Sequence, residues 1–298
     1  MLIRVADGRA PVLREVRAAA PLMADLAAPV PARGPWLTAA LNVQPTRPLA
    51  RVRPRAVVVE RTPGGGPDGA ALLALRRRGA TTAVTLLGAE PGPLPEGRPP
   101  ARLLARDPEV AAQLAEGLVD LLERLRGPWT LRLAGLPLGD PTLASLAAVM
   151  PDSQLSNSRS RRLVDELDTV ADVRRTVDPA ELERELPAVL ARVPAPQQVF
   201  VRAAARLHAA IGQLELAVVP GRSAGQPTAV LLTLLDRGPA GTDRWPWWGS
   251  SEVGGLRREL GQPSVTLTAS AGLVRLGRRS PLRSTGGAGT AVRGAAAG

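Results

Sequence analysis

A unit that occurs twice constrains the fold of this chain more than any other feature. Ala56-Val57-Val58-Val59 runs through a Gly-rich break to Pro67, then into Ala70-Ala71-Leu72-Leu73-Ala74-Leu75 and an exit at Arg76-Arg77-Arg78-Gly79. Later, Ala217-Val218-Val219 runs through a second Gly-rich break to Pro227, then into Ala229-Val230-Leu231-Leu232-Thr233-Leu234-Leu235 and the exit Asp236-Arg237-Gly238. Short continuous apolar runs around a Gly/Pro break predict a β-hairpin buried on both faces. With Pro67 laid on Pro227, the copies stand 160 positions apart. So long a spacing implies duplicated domains, because solenoid units recur every ~20–50 residues. Chance is the rival account, since a chain this rich in Ala, Leu, Val, Gly and Arg makes any two hairpins look alike.

The chain has 298 residues, enough for two ordinary domains. Its core must be built from Leu, Val and Ala, because there are one Phe, five Trp and no Tyr. All 38 basic residues are Arg, while Ile and Asn occur twice each, a bias toward GC-rich codons that weakens any reading of the +11 charge. The arginines are spread among acids, and the aromatics that would stack single-stranded bases are missing from most of the chain, so nucleic-acid binding is disfavoured. The absence of Cys excludes disulfides, thiolate nucleophiles and iron–sulfur clusters, and one His excludes a multi-histidine metal site. No metal is expected. The apolar stretch from Ala18 to Val30 is interrupted by Asp25 and Pro29, so it is no secretory signal. No run approaches the roughly 20 apolar residues of a membrane span. A cytoplasmic protein is the expectation.

Thr81 to Leu87 reads as a third strand, followed by a Pro/Gly-rich loop to Pro100. Asp107-Pro108-Glu109 opens the strongest helix: Asp supplies a capping oxygen, Pro suits the first helical position, and Val110, Leu114, Leu118, Leu121, Leu122 and Leu125 form one apolar stripe. Trp129 to Leu136 alternates as a strand, Asp140-Pro141 opens a short helix, and Arg161 to Leu167 reads as the next strand. The second half begins at the Asp178-Pro179-Ala180-Glu181 cap, with Pro187 expected to interrupt or kink its helix. A further helix from about Gln197 to Ile211 places Phe200, Ala204, Leu207 and Ile211 on one side. Trp245-Pro246-Trp247-Trp248 precedes a short helix at Val253 to Leu260 and a strand at Ser264 to Thr268. From about Arg278 the composition predicts disorder. Helices that cross over between strands make a mixed α/β sheet the economical architecture.

The order helix pair, hairpin, third strand, long helix, strand, short helix, strand is similar to the GCN5-related N-acetyltransferase (GNAT) fold. Two copies in one chain resemble the tandem FemAB-like acyltransferases and the BioF2-like or CelD-like group. The likeness is carried by Gly34-Pro35-Trp36-Leu37-Thr38-Ala39-Ala40, by Trp129 through Pro137, and by Phe200 through Leu235, together spanning about residues 30–240. It implies two GNAT-like α/β halves, 1–168 and 169–277, each a mixed sheet flanked by helices, with a disordered tail at 278–298. It also implies transfer of an acyl group from a thioester, with acyl-CoA as co-substrate, or from an acyl carrier, to an amine. Such an enzyme positions two substrates, removes a proton and stabilises an oxyanion, which needs neither Cys nor metal.

Two departures stand against catalysis. GNAT enzymes cradle the pyrophosphate of coenzyme A on a Gly-rich turn at a helix N-terminus. The first copy has Arg102-Leu103-Leu104-Ala105-Arg106-Asp107-Pro108 there, and the second offers only Ser250 through Arg258 with its Gly254-Gly255 pair. Members often use a Tyr as general acid, and this chain has none. The resemblance therefore places candidate cofactor contacts at Ser251, Gly254, Gly255 and Arg257, where a plain turn is the bland alternative. Glu215, Asp236 and Glu252 are the candidate bases. Glu215 interrupts an apolar strand, where a carboxylate is costly to bury without partners, or else it lies on a solvated edge. His208 reads as a partly buried or helix-edge residue rather than a base. Trp245, Trp247 and Trp248 would anchor the C-terminal segment or offer a protein partner a surface. Two other functions stay open: an inactive GNAT-like scaffold using that Trp-rich segment, and an Arg-driven nucleic-acid binder.

Overall fold

The computed structural model describes residues 1–43, 52–90, 92–221, 226–238 and 241–272, so the tail expected from residue 278 lies outside the described residues. β1 (Leu2–Asp7) leads into α1 (Arg9–Ala18), α2 (Ala20–Asp25), a 3-10 turn at Val30–Ala32 and α3 (Gly34–Val43). β2 (Val52–Glu60), β3 (Gly69–Arg78) and β4 (Thr81–Leu86) follow as a meander, and then a two-residue β5 (Leu104–Ala105), α4 (Pro108–Glu123), β6 (Trp129–Leu136), α5 (Pro141–Val149) and β7 (Gln154–Asp165). The rest of the chain forms β8 (Arg174–Thr176), α6 (Pro179–Arg192), α7 (Ala195–Ala210), β9 (Leu214–Val219), β10 (Ala229–Gly238), β11 (Gly241–Ser251) and β12 (Leu256–Ala271).

These strands build two sheets. The larger has the order β1-β2-β3-β4-β6-β12-β7, with β5 added beside β3, and the smaller has the order β11-β10-β9-β8. In the larger sheet β4 and β6 run parallel, joined by the crossover through α4, and the other neighbours are antiparallel. A mixed α/β architecture is thus observed. The chain division at residue 168 does not divide the sheets, because β12, near the end of the described chain, completes the first one.

The duplication is visible in the strand registers. Val57 pairs with Ala71 and Val58 with Ala70, and their counterparts 160 residues on pair the same way, Ala217 with Leu231 and Val218 with Val230. The next hairpin repeats as well: Leu73 opposes Leu86 and Arg78 opposes Thr81, as Thr233 opposes Pro246 and Gly238 opposes Gly241. A one-residue slip would turn every side chain to the other face, so agreement across two successive hairpins is a strict match. Shared composition does not produce it.

The copies part company immediately afterwards. In the second, β11 takes a bulge at Trp247 and continues along β10 to Ser251. In the first, the chain leaves the sheet after Leu87 and returns only at Leu104–Ala105, which pair with Gly69 and Ala70. The described part of this excursion, residues 88–90 and 92–103, is called the strap below.

Local chemistry explains the helices. Asp107 caps α4 by accepting from Val110 N at 3.0 Å, and Val110, Leu114, Leu118, Leu121 and Leu122 are buried as the stripe requires. Gly117 occurs within this helix where a β-carbon would lie 2.8 Å from Ile3 and from Val57, so its absence lets α4 approach the sheet. α6 runs through Pro187 without a break in its assignment, and Asp178 accepts from Ala180 N. On α7 the buried side carries Phe200, Val201, Ala204, Ala205 and His208, whereas Ile211 is 51% exposed, which corrects the face expected for it. The helix expected at Val253 to Leu260 is instead the end of a turn followed by the first part of β12, and β7 begins at Gln154, seven residues before the expected strand at Arg161. Here pairing overrides local pattern: Glu259 opposes Arg162 across the ladder and bonds it at 2.9 Å.

One apolar core lies beneath α4 and α5. A second is shared between the copies, with Trp36 and Leu41 from the first packed among Leu186, Phe200, Leu216 and Trp247 from the second, and a small third gathers Leu167, Ala217, Val219, Ala229 and Leu231. Replacing fully buried Leu118 by Ala should lower stability by about 2–5 kcal/mol. Urea unfolding should show a lower midpoint with an unchanged slope.

Candidate functional site

A parallel strand pair that diverges is where an extended ligand could enter this fold. β4 and β6 pair only over Thr82–Thr85 and Trp129–Arg132, and beyond these residues β6 has no ladder to β4. The strap occupies the opening. Ala101 N donates to Gly135 O at 3.1 Å, and Pro100 packs so close to Gly135 that a β-carbon there would lie 2.9 Å from its ring. Gly135 has φ +75°, a conformation glycine adopts freely. The remaining cavity, lined by Leu72, Leu86, Leu94, Ala101 and Ala134 among others, has a volume of about 40 Å³. That is room for little more than water.

The strap is held by the tryptophans of β11. Trp245 Nε1 donates to Glu96 O at 2.7 Å and Trp247 Nε1 to Pro93 O at 2.8 Å, while Trp36 Nε1 donates to Gly88 O at 3.2 Å. Arg98 lies 4.1 Å from the Trp245 ring centroid and bonds Asp243. Gly97 N donates to Ser160 Oγ at 2.8 Å, and Gln262 N donates to Gly97 O at 2.7 Å. A side chain at Gly92 would overlap the Phe200 ring. Trp36 meets Phe200 and Trp247 edge-on, with centroids 4.9 and 5.2 Å apart. Trp245 and Trp247 are each only 4% exposed, and Trp248 packs partly buried against the same core. Of the two expectations for these residues, anchoring on the core is the one the geometry shows: Trp245 and Trp247 are buried and bond the protein's own strap.

The sequence-predicted site residues do not converge. Glu215 lies on β9, flanked by β8 and β10, and its Oε1 accepts from Arg175 at 3.1 Å and from Arg244. Arg175 also reaches Asp165 at 2.9 Å and Asp168 at 2.5 Å, making a charge network rather than an isolated base. Asp236 is held by both guanidinium nitrogens of Arg33, at 2.7 and 3.2 Å. Glu252 is an exposed turn residue bonded by Arg192 at 2.8 Å. Ser251 Oγ donates to Gly254 O at 2.5 Å and accepts from Val253 N, closing the β11–β12 turn. Gly254 and Gly255, at φ +85° and +76°, lead into a strand, and Gly255 is pressed against Leu167 and Val170. Arg257 bonds Glu166 at 2.7 Å and Glu259 at 2.6 Å, and its guanidinium holds the Glu166 carboxyl below the usual carboxylate range.

His208 is completely buried. Its Nδ1 lies 3.3 Å from Gln213 Oε1, its Nε2 has no partner, and burial pushes its pKa down to about 4. It is a neutral core residue. Two open clefts flank the strap, neither visible in the sequence reading. One, about 670 Å³, is bounded by Arg98, Arg162, Asp165, Arg244 and Leu260. The other, about 610 Å³, is bounded by Arg132, Ser158, Arg159, Ser160, Ser264 and Thr266. The signal for the second was the alternation of Ser156, Ser158 and Ser160 on one strand and Ser264, Thr266 and Thr268 on the next. Among the described residues no group of three or more His, Cys, Asp or Glu is placed to hold a metal ion, and no helix is long and apolar enough to cross a membrane.

No family model and no curated protein matches this chain. Among solved structures it is similar to a tandem GNAT protein from the clavulanic acid biosynthesis pathway, determined without AcCoA, with 16% identity and a TM-score of 0.41, covering 91% of this chain and 99% of that one. That neighbour is described as a tandem GNAT protein, not as a FemAB-like enzyme.

Trp247→Phe removes the donor to Pro93 and should destabilise the protein by about 1–3 kcal/mol, with faster proteolytic cleavage within residues 88–103. His208 makes stability pH-dependent. Because its folded pKa lies below the unfolded 6.5, the unfolded chain takes up the proton first. Stability is full above pH 6.5 and falls until about pH 4, by roughly 3 kcal/mol. His208→Leu should flatten this segment of the curve measured by urea unfolding against pH.

Proposed function

We propose that this protein is a tandem acetyltransferase-type fold that binds a small ligand and does not transfer an acyl group from a thioester. The observation that carries this reading is the strap backbone bonded to Gly135 in the wedge between β4 and β6. A thioester arm and the strap would need the same space. Two further features agree with it. The N-terminus of α4 is occupied by the Asp107 carboxylate, bonded to Arg61, where a pyrophosphate would need open N–H groups. Among the described residues no acid lines the wedge to serve as a general base.

A second reading, acyl transfer from acyl-CoA to an amine, is favoured by the parallel β4–β6 pair and by the small residues Gly88, Ala89, Ala101 and Ala134 around its opening. In that reading the strap leaves the wedge, and Glu215, Asp236 or Glu252 first gives up an arginine partner to act as base. Nucleic-acid binding gains nothing from the geometry, because many arginines, among them Arg4, Arg33, Arg175 and Arg257, are held by acids.

S-acetylpantetheine, which carries the thioester arm without phosphates, tests the wedge by calorimetry, and thiol release from acetyl-CoA with a panel of amines tests transfer. The expected result is no heat and no thiol. Saturable heat together with amine-dependent thiol release would hand the assignment to the second reading.

A further inference from the structure

The larger sheet has two unequal faces at its β6–β12–β7 end. Val265 and Leu267 of β12 point into the core beneath α4 and α5. Alternate residues point the other way: Ser264 opposes Ser158, Thr266 opposes Ser156, and Thr268 stands between Gln154 on β7 and Arg132 on β6. This face is a field of hydroxyls with an arginine at one side. The strap passes over it, and the space between them is the cleft of about 610 Å³. That volume lies in the range of small-molecule sites, roughly 300–1,000 Å³.

The charges at the cleft are unevenly compensated. Its neighbours Arg98, Arg162 and Arg258 are each paired with an acid, respectively Asp243, Glu259 and Glu96. The side chains of Arg132 and Arg159, two residues that line the cleft, have neither an ion pair nor a hydrogen bond among the described residues. Among the described residues Glu96 is the one acid lining the cleft, and its charge is already met by Arg258. Arg132 on the hydroxyl face and Arg159 on the edge strand β7 both line this concave site, and their charge focuses positive potential there. Their planar donor forks match carboxylate or phosphate oxygens, and the surrounding hydroxyls and Gln197 supply further donors.

We infer that the cleft between the strap and the hydroxyl face of β6, β12 and β7 is a binding site for a small molecule bearing an oxyanion, with Arg132 and Arg159 as its charged contacts. This rests on the binding reading above and names its ligand class. The strap roofs the site, which suits a compact ligand better than a polymer.

Calorimetric titration at low ionic strength with sodium pyrophosphate and, separately, citrate tests the inference. The wild type should bind at least one of them saturably at one site, more weakly as salt is raised. Binding of pyrophosphate alone assigns a phosphoester ligand, and binding of citrate alone a carboxylate. Arg132→Ala and Arg159→Ala should each weaken binding about tenfold or more, with Arg132→Lys recovering part of the loss and with unchanged thermal midpoints. Arg126→Ala, on the exposed turn before β6, should bind like the wild type. Unsaturable binding of both probes, or an equal loss in Arg126→Ala, would overturn the site. S-acetylpantetheine carries no ionised oxyanion, so its binding would sink the closed-wedge reading while leaving this one standing.

Discussion

The structure depends on the ladder that β12 makes on both sides. This strand lies between β6 and β7, with backbone pairing to each, and it buries Val265 and Leu267 against the core under α4. Without it, β6 would end the larger sheet as an open edge, and β7 would lose its partner. Because β12 follows β11 through the tight Ser251–Gly255 turn, the smaller sheet is tethered by its outgoing chain to the larger one. The copies are therefore not free domains on a linker. They share an interior in which Trp36, Phe200 and Trp247 touch.

The strap turns that shared interior into a functional constraint. A segment leaving a sheet must find partners for its backbone groups. Here the partners are the indole N–H groups of Trp36, Trp245 and Trp247, the Gly135 carbonyl, the Ser160 hydroxyl and the Gln262 amide. The same bonds that hold the strap fill the wedge between β4 and β6 and roof the hydroxyl-lined cleft. On the proposed reading, the ligand space lies on the open face beside β4 and β6 instead of between them.

Much of the fold was legible because its signals are local. The capped helix after Asp107 and the strands at Trp129 to Leu136 and Thr81 to Leu86 follow from capping chemistry and period-two alternation. The first strand at Leu2–Asp7 was missed, and so was the full length of β7 and β12. Gln154 to Ser160 and Leu256 to Leu260 are polar stretches whose extended state is set by a distant partner. The site was less legible still. Glu215 drew attention as an acid in an apolar strand, but its arginine partners lie 40 and 29 residues away on other strands. His208 was read as a partly buried or helix-edge residue, and only the packing of α7 against α3 buries it completely.

By itself, the sequence determined the repeated hairpin and its register, because apolar continuity, glycine breaks and equal loop lengths leave one way to pair each copy. Tertiary structure alone decided where the last strand inserts, where the strap lies and which arginines are left without an acid. These outcomes rest on contacts between residues far apart in the chain. Local propensity carries no information about which distant backbone or charge will meet them.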